Sequence, residues 1–571
     1  MTPSTAVFTP PSPGAWELEQ THVTKAPSVY FTSVFPPAMM RGFKEGTRHY
    51  GLLLDHLEVA VINRFVYYAA RPVGAPKGAK GPPPKPIFKL LTVLHPEIRR
   101  RIRRSREMLE GRIWRQDVAR WDSEIRPALA AEAGRLLADD LAGATTTQLA
   151  NHVRRATAFL DTAIFWHHRL NFCVMVPLGD YLVQTMEWTG LSPTELLAPM
   201  RGLSPVSAGA QEELEALRPA IQADGAAVLL LLSDEPAAKT LAALMDRPTA
   251  AGAATRAYVD AVGLTVIGGY DVADRHAREH PEMLLKVIRA TVMNDESQRR
   301  AVAEQGIEHV RARVPAQHRD TFDALITEAR DTYRVRDERI FHGDARATGL
   351  ARRAILAAGE RLVTEKRADD PTHLLDATPD EIVSLLEGRD GPSADELAAR
   401  ARWRLETPIS SAPANVGLPP SPPPPPDWLP APADRVAKLV STVMSLLFDV
   451  RADSAQQQAG GDAGRKLKGF PVSPGVYEGP ARVITNVEQL PDVQQGEVLI
   501  ASSTGPTFNV VLPLIGALVT ERGGVLSHAA IVSREYGLPG VVGCVGAVKA
   551  AATGRRVRVD GTTGDVWFLE S

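Results

Sequence analysis

The sequence predicts a multidomain protein in which a large, mainly α-helical N-terminal body precedes a small C-terminal α/β domain. Over most of residues 1–420, apolar residues recur every three or four positions, as expected for amphipathic helices. From residue 467 onward, short β-branched runs alternate with helical segments, which favours an α/β domain. A chain of 571 residues is long enough to hold several domains, each with its own core.

The helical body contains six segments in which this spacing is clearest. They are residues 112–141, 147–170, 208–223, 282–303, 318–334 and 350–364. The body has neither a G-x-x-x-x-G-K-[ST] sequence nor a GxGxxG motif between a strand and a helix. We therefore expect no nucleotide site of these two kinds in residues 1–420.

Three segments connect the body to the C-terminal domain. Residues 421–433 include five consecutive prolines and predict an extended polyproline spacer. Residues 434–450 have helical apolar spacing and predict an amphipathic helix that packs on a neighbouring domain. Residues 451–466 are polar and rich in Gly and Gln, which predicts a flexible linker. Fully extended, such a linker spans about 50 Å, enough to carry the domain at 467–571 between distant sites.

The most informative segment of the chain runs from Thr520 to Glu535. A strand-like run precedes it, and the glycine pair Gly523-Gly524 lets the backbone approach a bulky anion. Ser527 and His528 follow at the predicted start of a helix, where unpaired N–H groups and the positive dipole end favour phosphate. A neutral imidazole is a good nucleophile near pH 7. These features predict that His528 takes up a phosphoryl group and holds it.

The same segment resembles the swivelling phosphohistidine domain of the PEP-utilising enzymes, whose pattern reads roughly GG-x-x-[ST]-H-x-A-I-x-[AS]-R-E-x-G-[IL]-P. The flanking sequences Ser473-Pro474-Gly475 and Val559-Asp560-Gly561 extend the resemblance to residues 467–571. It implies that His528 is the catalytic residue. The pattern is met by Gly523, Gly524, Ser527, His528, Ala530, Ile531, Ser533, Arg534, Glu535, Gly537, Leu538 and Pro539.

Residues around His528 have predicted supporting roles. We expect the backbone N–H groups after Gly523-Gly524 and the Ser527 hydroxyl to hold phosphate oxygens, and Arg522 to add a positive charge. Helix geometry places Arg534 off the His528 face, as a structural support, and returns Glu535 to that face. Glu535 is therefore a candidate hydrogen-bond partner for the imidazole.

The helical body resembles the acceptor region of the rifampicin phosphotransferase and phenylphosphate synthase members of the family. The resemblance rests on Trp16-Glu17-Leu18-Glu19 with His22, on 268–273 and on 336–339, which occur in the family's order. It implies that the body binds the small molecule that receives the phosphoryl group. A histidine there can take the hydroxyl proton, and aromatic side chains can hold the acceptor. The candidate acceptor residues are Trp166, His167, His168, Arg336, Asp337 and Arg339.

These candidates also have structural explanations. His167 or His168 can be a hydrogen-bonded packing residue, and the charged cluster at 336–339 can be an ion-pair network. Two other classes of function also stay open for the whole chain, namely a phosphohistidine-dependent ligase and a non-enzymatic phosphocarrier.

The resemblance also implies partners. Relatives that charge the histidine with ATP carry an ATP-grasp module, and relatives that use PEP carry a TIM barrel after the swivelling domain. We recognise neither in this sequence. We therefore expect a separate ATP-grasp subunit, which binds ATP and Mg²⁺ and phosphorylates His528. The expected acceptor is a small, aromatic or otherwise apolar molecule with a hydroxyl group.

Composition sets further limits. The formal net charge of −2 gives no global field for nucleic acid. No run of 18 apolar residues predicts a membrane span, and the N-terminal residues lack the pattern of a signal peptide. Cys173 and Cys544, the two cysteines, suit a reducing cytoplasm and exclude a cysteine-based metal cluster. We predict no metal ligands in this chain.

Overall fold

A computed structural model describes most of the chain, namely residues 7–23, 25–203, 210–266, 269–293, 302–420, 423–425, 428–448, 466–505, 508–509 and 511–569. The predicted flexible linker lies outside these residues except for residue 466, and so does part of the predicted proline spacer. The chain forms two compact units. The first comprises residues 1–176, 269–274 and 339–440, and the second comprises residues 177–268, 275–338 and 441–571. The predicted helical body therefore contributes residues to both units.

The first unit contains a sheet that the sequence analysis did not predict. Strands β1 (Ala15–Leu18), β2 (Leu54–Ile62), β3 (Phe65–Pro72) and β4 (Asn415–Gly417) pair antiparallel in the order β2-β3-β1-β4. The body is mainly helical, as predicted, and these strands are an addition that the sequence did not indicate. They share a buried core that includes Trp16, Phe65 and Tyr67.

Helices make up most of the remainder of the first unit. Val29–Tyr50 packs against Thr146–Arg169. Gly42 allows their close approach, because a Cβ atom there would lie 2.3 Å from the carbonyl oxygen of Phe165. The other helices are Lys85–Leu94, Pro96–Gly111, Trp114–Arg120, Arg126–Ala138, Arg346–Thr364, Pro379–Leu386 and Ala394–Glu406, with π-helical turns at Trp121–Ile125 and Ile340–Ala345.

The second unit is built around a mixed sheet. Its described strands are β5 (Lys466–Lys468), β6 (Phe470–Ser473), β7 (Val476–Ile484), β8 (Val498–Ala501), β9 (Ala517–Thr520), β10 (Gly540–Val542), β11 (Arg556–Asp560) and β12 (Asp565–Phe568). They follow the order β5-β12-β11-β7-β8-β9-β10-β6. Strands β7 to β10 are parallel to their neighbours in this series, and the other pairs are antiparallel. The β-branched runs in the sequence form the buried core of this sheet.

The helix His528–Tyr536 connects the parallel strands β9 and β10. Gly537, with φ of +63°, ends this helix, as the sequence predicted. The other helices of the second unit are Pro193–Leu197, Gln211–Gln222, Gly225–Leu232, Ala237–Met245, Ala250–Val262, Pro281–Met293, Val302–Arg313 and Ala547–Ala550. Three further helices, Asn171–Thr189, Arg319–Arg339 and Ala431–Phe448, contain a boundary between the two units. Among the described residues, no helix combines the length and apolar character that crossing a bilayer requires.

Candidate functional site

His528 is the first residue of the helix that follows strand β9. Ser527 is its N-cap, and the Ser527 hydroxyl accepts a hydrogen bond from the Ala530 N–H at 3.4 Å. Gly523 precedes this cap with φ of +108°, and a Cβ atom at this position would lie 2.7 Å from the Ser527 Cβ. The Gly-Gly-x-x-Ser-His sequence therefore sets the backbone that presents His528 at a helix start.

Both ring nitrogens of His528 have hydrogen-bond partners. The Thr504 hydroxyl lies 3.0 Å from Nδ1, and the Asn509 amide oxygen lies 3.0 Å from Nε2. Because an amide oxygen only accepts, this arrangement places the ring proton on Nε2 and leaves Nδ1 to accept from Thr504. Burial, with a smaller effect of Arg336, lowers the pKa of His528 to about 3. The imidazole is therefore neutral near pH 7, as a nucleophile must be.

Arg336 brings a positive charge to the same site. Its Nη2 donates to the carbonyl oxygen of Leu526, two residues before His528, at 3.1 Å. Its Nη1 is buried and makes no hydrogen bond to the described residues, and the nearest carboxylate oxygen, on Asp337, is 3.8 Å away. This nitrogen can therefore donate to an anion bound near His528.

The loop before His528 uses its own N–H groups within the protein. The Gly524 and Leu526 N–H groups donate to the carbonyl oxygens of Leu447 and Leu446, at 3.3 Å and 3.0 Å, and the Ser527 N–H donates to Gly524. These three N–H groups donate within the protein in this structure, and the phosphate-binding role of the loop stays a prediction. Arg522 is exposed on the same loop.

Arg534 and Glu535 have different roles from each other. Arg534 is buried and donates to the carbonyl oxygens of Val525 and Val472, at 3.0 Å and 3.4 Å, which fits its predicted structural role. The Glu535 carboxylate accepts instead from the Gly202 N–H at 2.8 Å, and burial raises the pKa of Glu535 to about 7. The predicted contact of Glu535 with the imidazole is wrong, because the described partners of the ring are Thr504 and Asn509.

A second cluster of polar residues lies in the first unit. His167 and His168, at the end of the helix Thr146–Arg169, have ring centroids 4.7 Å apart. The His22 ring lies 5.8 Å from the His167 ring and 5.5 Å from the His168 ring. Tyr270 lies against His22, at 5.0 Å between ring centroids. The sequence motifs that contain His22 and Tyr270 therefore meet at the predicted acceptor histidines.

Buried hydrogen bonds hold this second cluster in place. The Asp344 carboxylate contacts Nδ1 of His167, and Arg339 donates to the His167 carbonyl oxygen at 2.6 Å. Nδ1 of His168 donates to the Ile164 carbonyl oxygen at 2.8 Å. Burial, together with His167 and His22, lowers the pKa of His168 well below its usual value. Burial likewise raises the pKa of Asp344 to about 8.

The remaining predicted acceptor residues do not share one site. Trp166 faces a separate cavity of about 410 Å³ in the first unit, where the Arg120 guanidinium lies 5.0 Å from its ring centroid. Arg336 and Asp337 belong to the second unit, together with His528, whereas Arg339 belongs to the first. Successive residues of a helix point about 100° apart, so sequence neighbours such as Trp166 and His167 reach different surroundings.

Thr504, Asn509, His22 and Asp344 are candidate site residues that the sequence analysis missed. Thr504 and Asn509 precede His528 by 24 and 19 residues, and no local pattern marks them. His22 belongs to one of the motifs that resemble the family, and that resemblance is the signal that could have identified it.

The comparisons with known proteins agree with the sequence motifs. Residues 493–564 match the PEP-utilising enzyme mobile domain, and residues 175–337 match the fourth domain of rifampicin phosphotransferase. The rifampicin phosphotransferase of Bacillus subtilis (strain 168) is 49% identical over 98 residues, which are 17% of this chain and 11% of that protein. The phosphoenolpyruvate synthase of Pyrococcus furiosus is 44% identical over 101 residues, which are 18% of this chain and 12% of that protein.

A longer match extends beyond the C-terminal domain. A rifampicin phosphotransferase of Streptomyces sp is 28% identical over 330 residues, which are 55% of this chain and 34% of that protein. The predicted resemblance and fold class are confirmed. This chain spans between 11% and 34% of the length of these three relatives.

Proposed function

We propose that this protein is a phosphotransferase subunit that carries a phosphoryl group on His528 to the hydroxyl of a small organic acceptor. The observation that carries the proposal is the neutral, half-buried imidazole at a helix start, next to a buried guanidinium nitrogen without a hydrogen-bond partner among the described residues. A nucleophile and a counter-charge for phosphate are the two groups that such a carrier needs.

The first half-reaction loads the carrier. A ring nitrogen of His528 attacks the phosphorus of the donor, so an N–P bond forms as the donor's O–P bond breaks. Thr504 or Asn509 must first turn away, because each occupies one ring nitrogen at 3.0 Å. Arg336 then donates to the phosphoryl oxygens. Its charge also opposes protonation of the imidazole, which keeps the nucleophile available.

The second half-reaction unloads the carrier onto the acceptor. The acceptor oxygen attacks phosphorus, the N–P bond breaks, and the ring nitrogen regains its electron pair. The hydroxyl proton passes to a base, for which we propose the His167 and His168 cluster. The rings of Phe35 and Tyr270, whose centroids lie 5.1 Å and 5.0 Å from that of His22, give this cluster an aromatic wall that suits an aromatic or apolar acceptor.

The proposed donor is ATP bound with Mg²⁺ to a separate ATP-grasp subunit. The isolated chain should then neither bind ATP tightly nor hydrolyse it, and addition of such a subunit should phosphorylate His528 from ATP. Labelling of His528 by ATP in the isolated, purified chain would contradict the need for a partner.

Phosphoramidate, a chemical donor that phosphorylates histidine, tests the carrier without any partner. The protein should gain one phosphoryl group with the acid lability and base stability of an N–P bond, detected by ³¹P NMR and intact-mass measurement. His528→Ala should abolish the labelling, whereas His318→Ala, which changes a histidine outside the site, should not. Unchanged labelling of folded His528→Ala protein would refute the assignment.

A further inference from the structure

The three histidines of the first unit form a compact group of ligand atoms. One nitrogen from each of His22, His167 and His168 can be chosen so that all three lie within 4.8 Å of one another. His168 is 3% exposed and His167 is 7% exposed, so water does not solvate these rings freely. Zinc–imidazole bonds of about 2.0–2.1 Å place nitrogens around one ion roughly 3.3 Å apart. Small movements of the side chains would therefore let all three nitrogens coordinate one ion.

Two of the three rings pair their Nδ1 atom with an oxygen. The partner is the Asp344 carboxyl group for His167 and the Ile164 carbonyl at 2.8 Å for His168, whereas Nδ1 of His22 lies 3.4 Å from the Glu19 carboxylate without a hydrogen bond. Metal-binding histidines commonly donate their second N–H in this way, which fixes the ring and makes the ligating nitrogen more basic. For His168 this leaves Nε2 as the ligand.

An unpaired nitrogen in the group supports the same reading. Nε2 of His168 is buried and has no hydrogen-bond partner among the described residues. Leaving such a group unpaired costs roughly 1–3 kcal/mol. In a packed cluster of neutral imidazoles no interaction offsets this free-energy cost, whereas a bound cation would be coordinated by the same nitrogen.

We propose that His22, His167 and His168 form a binding site for one divalent transition-metal ion of the zinc type. Three imidazole nitrogens with an open fourth position are a common ligand set of catalytic zinc, and imidazole suits Zn²⁺ better than Mg²⁺ or Ca²⁺. The Glu19 carboxylate adds negative charge beside His22, and Arg339 donates to the His167 carbonyl oxygen. The inference rests on the proposed function for the second half-reaction, because nitrogens that ligate an ion cannot also take the acceptor proton. With the ion bound, an acceptor hydroxyl at the open position would instead have its pKa lowered by the metal. None of these residues takes part in the loading of His528.

Metal titration of the full-length, untagged protein tests the proposal. After removal of metals by a chelator, the protein should bind one equivalent of Zn²⁺ in competition with a chromophoric chelator. Co²⁺ should give the visible absorption bands of a four-coordinate site without a thiolate charge-transfer band, because Cys173 and Cys544 are buried elsewhere. His168→Ala and, as an independent ligand change, His22→Gln should each weaken Zn²⁺ binding at least 100-fold. Asp344→Asn should weaken it roughly 10- to 100-fold.

His152→Ala is the matched control. His152 lies on the same helix, is also 3% exposed, and pairs its Nδ1 with Asp139 at 2.7 Å while its Nε2 has no described partner. It lies outside the three-histidine group, so its substitution should leave Zn²⁺ affinity unchanged.

Binding of less than a tenth of an equivalent by wild type, or equal affinity in wild type and both ligand variants, overturns the proposal. His528→Ala protein should bind Zn²⁺ normally, and His168→Ala protein should accept phosphate from phosphoramidate, which separates this test from that of the proposed function.

Discussion

Replacing Arg336 by methionine should slow phosphorylation of His528 without unfolding the second unit. Arg336 is the residue whose charge acts on His528, and its Nη1 is free to donate to a phosphoryl oxygen. A hydrogen bond to a charged group contributes about 2 kcal/mol, which is roughly a 30-fold change in rate at 1.4 kcal/mol per factor of ten. Arg336→Lys should fall between wild type and Arg336→Met, because lysine keeps the charge but not the planar donor pair.

The assay is the initial rate of N–P bond formation with phosphoramidate, followed by ³¹P NMR. Arg556→Met is the control, because it also removes one positive charge from the second unit. Arg556 pairs with Glu478 at an exposed position. Both variants should give the far-ultraviolet circular dichroism of wild type. A rate for folded Arg336→Met within threefold of the control would refute the role of Arg336.

The pKa of His528 separates loss of charge from collapse of the site. Because Arg336 lowers this pKa less than burial does, Arg336→Met should raise it while keeping it below the usual value of about 6.5. If the substitution merely opened the loop, burial would be lost as well and the pKa would return to the usual value. NMR of the imidazole ring across the pH range measures this difference.

Three other predictions follow from the described contacts. Because the pKa of His528 is lowered to about 3, its ring signals should stay those of a neutral imidazole from pH 8 to pH 5, and titration near pH 6.5 would contradict the described burial. Gly523→Ala should destabilise the protein by roughly 1–3 kcal/mol and lower its thermal unfolding midpoint. The residue has φ of +108°, and the new methyl would meet Ser527. An unchanged midpoint would contradict the described conformation of this loop. Gly42→Ala should also lower the unfolding midpoint, because the new methyl would clash with Phe165. Gly134 has open space around it, so Gly134→Ala should leave the midpoint equal or higher. Equal effects of the two substitutions would refute the close packing at Gly42.

The sequence predicted the C-terminal part well because its signals are local. Short β-branched runs became β7 to β11, and the Gly-Gly-x-x-Ser-His pattern marked the start of the His528 helix. The sheet of the first unit was missed for an equally local reason. Its β2–β3 hairpin turns at Asn63 and Arg64, with φ of +48° and +68°, and a turn without glycine gives a weak signal.

The site was predictable only in part, because its geometry depends on distant residues. His528, Ser527 and Gly523 lie within one motif, so the sequence identified them together. Thr504 reaches the imidazole across strands β8 and β9, a contact that tertiary packing creates. Helix direction had the same effect at Trp166, whose side chain faces a cavity away from the adjacent His167.

The hydrogen bonds of Gly524 and Leu526 to the helix Ala431–Phe448 affect how long a phosphoryl group would stay on His528. A phosphate cradled by backbone amides is insensitive to most substitutions, since every residue has the same N–H group. Here the amides of Gly524 and Leu526 are engaged by Leu447 and Leu446, so side chains supply a larger share of the stabilising donors. The lifetime of the N–P bond can then be lengthened or shortened by single substitutions at residues such as Thr504 or Arg336, while the path of the backbone stays the same.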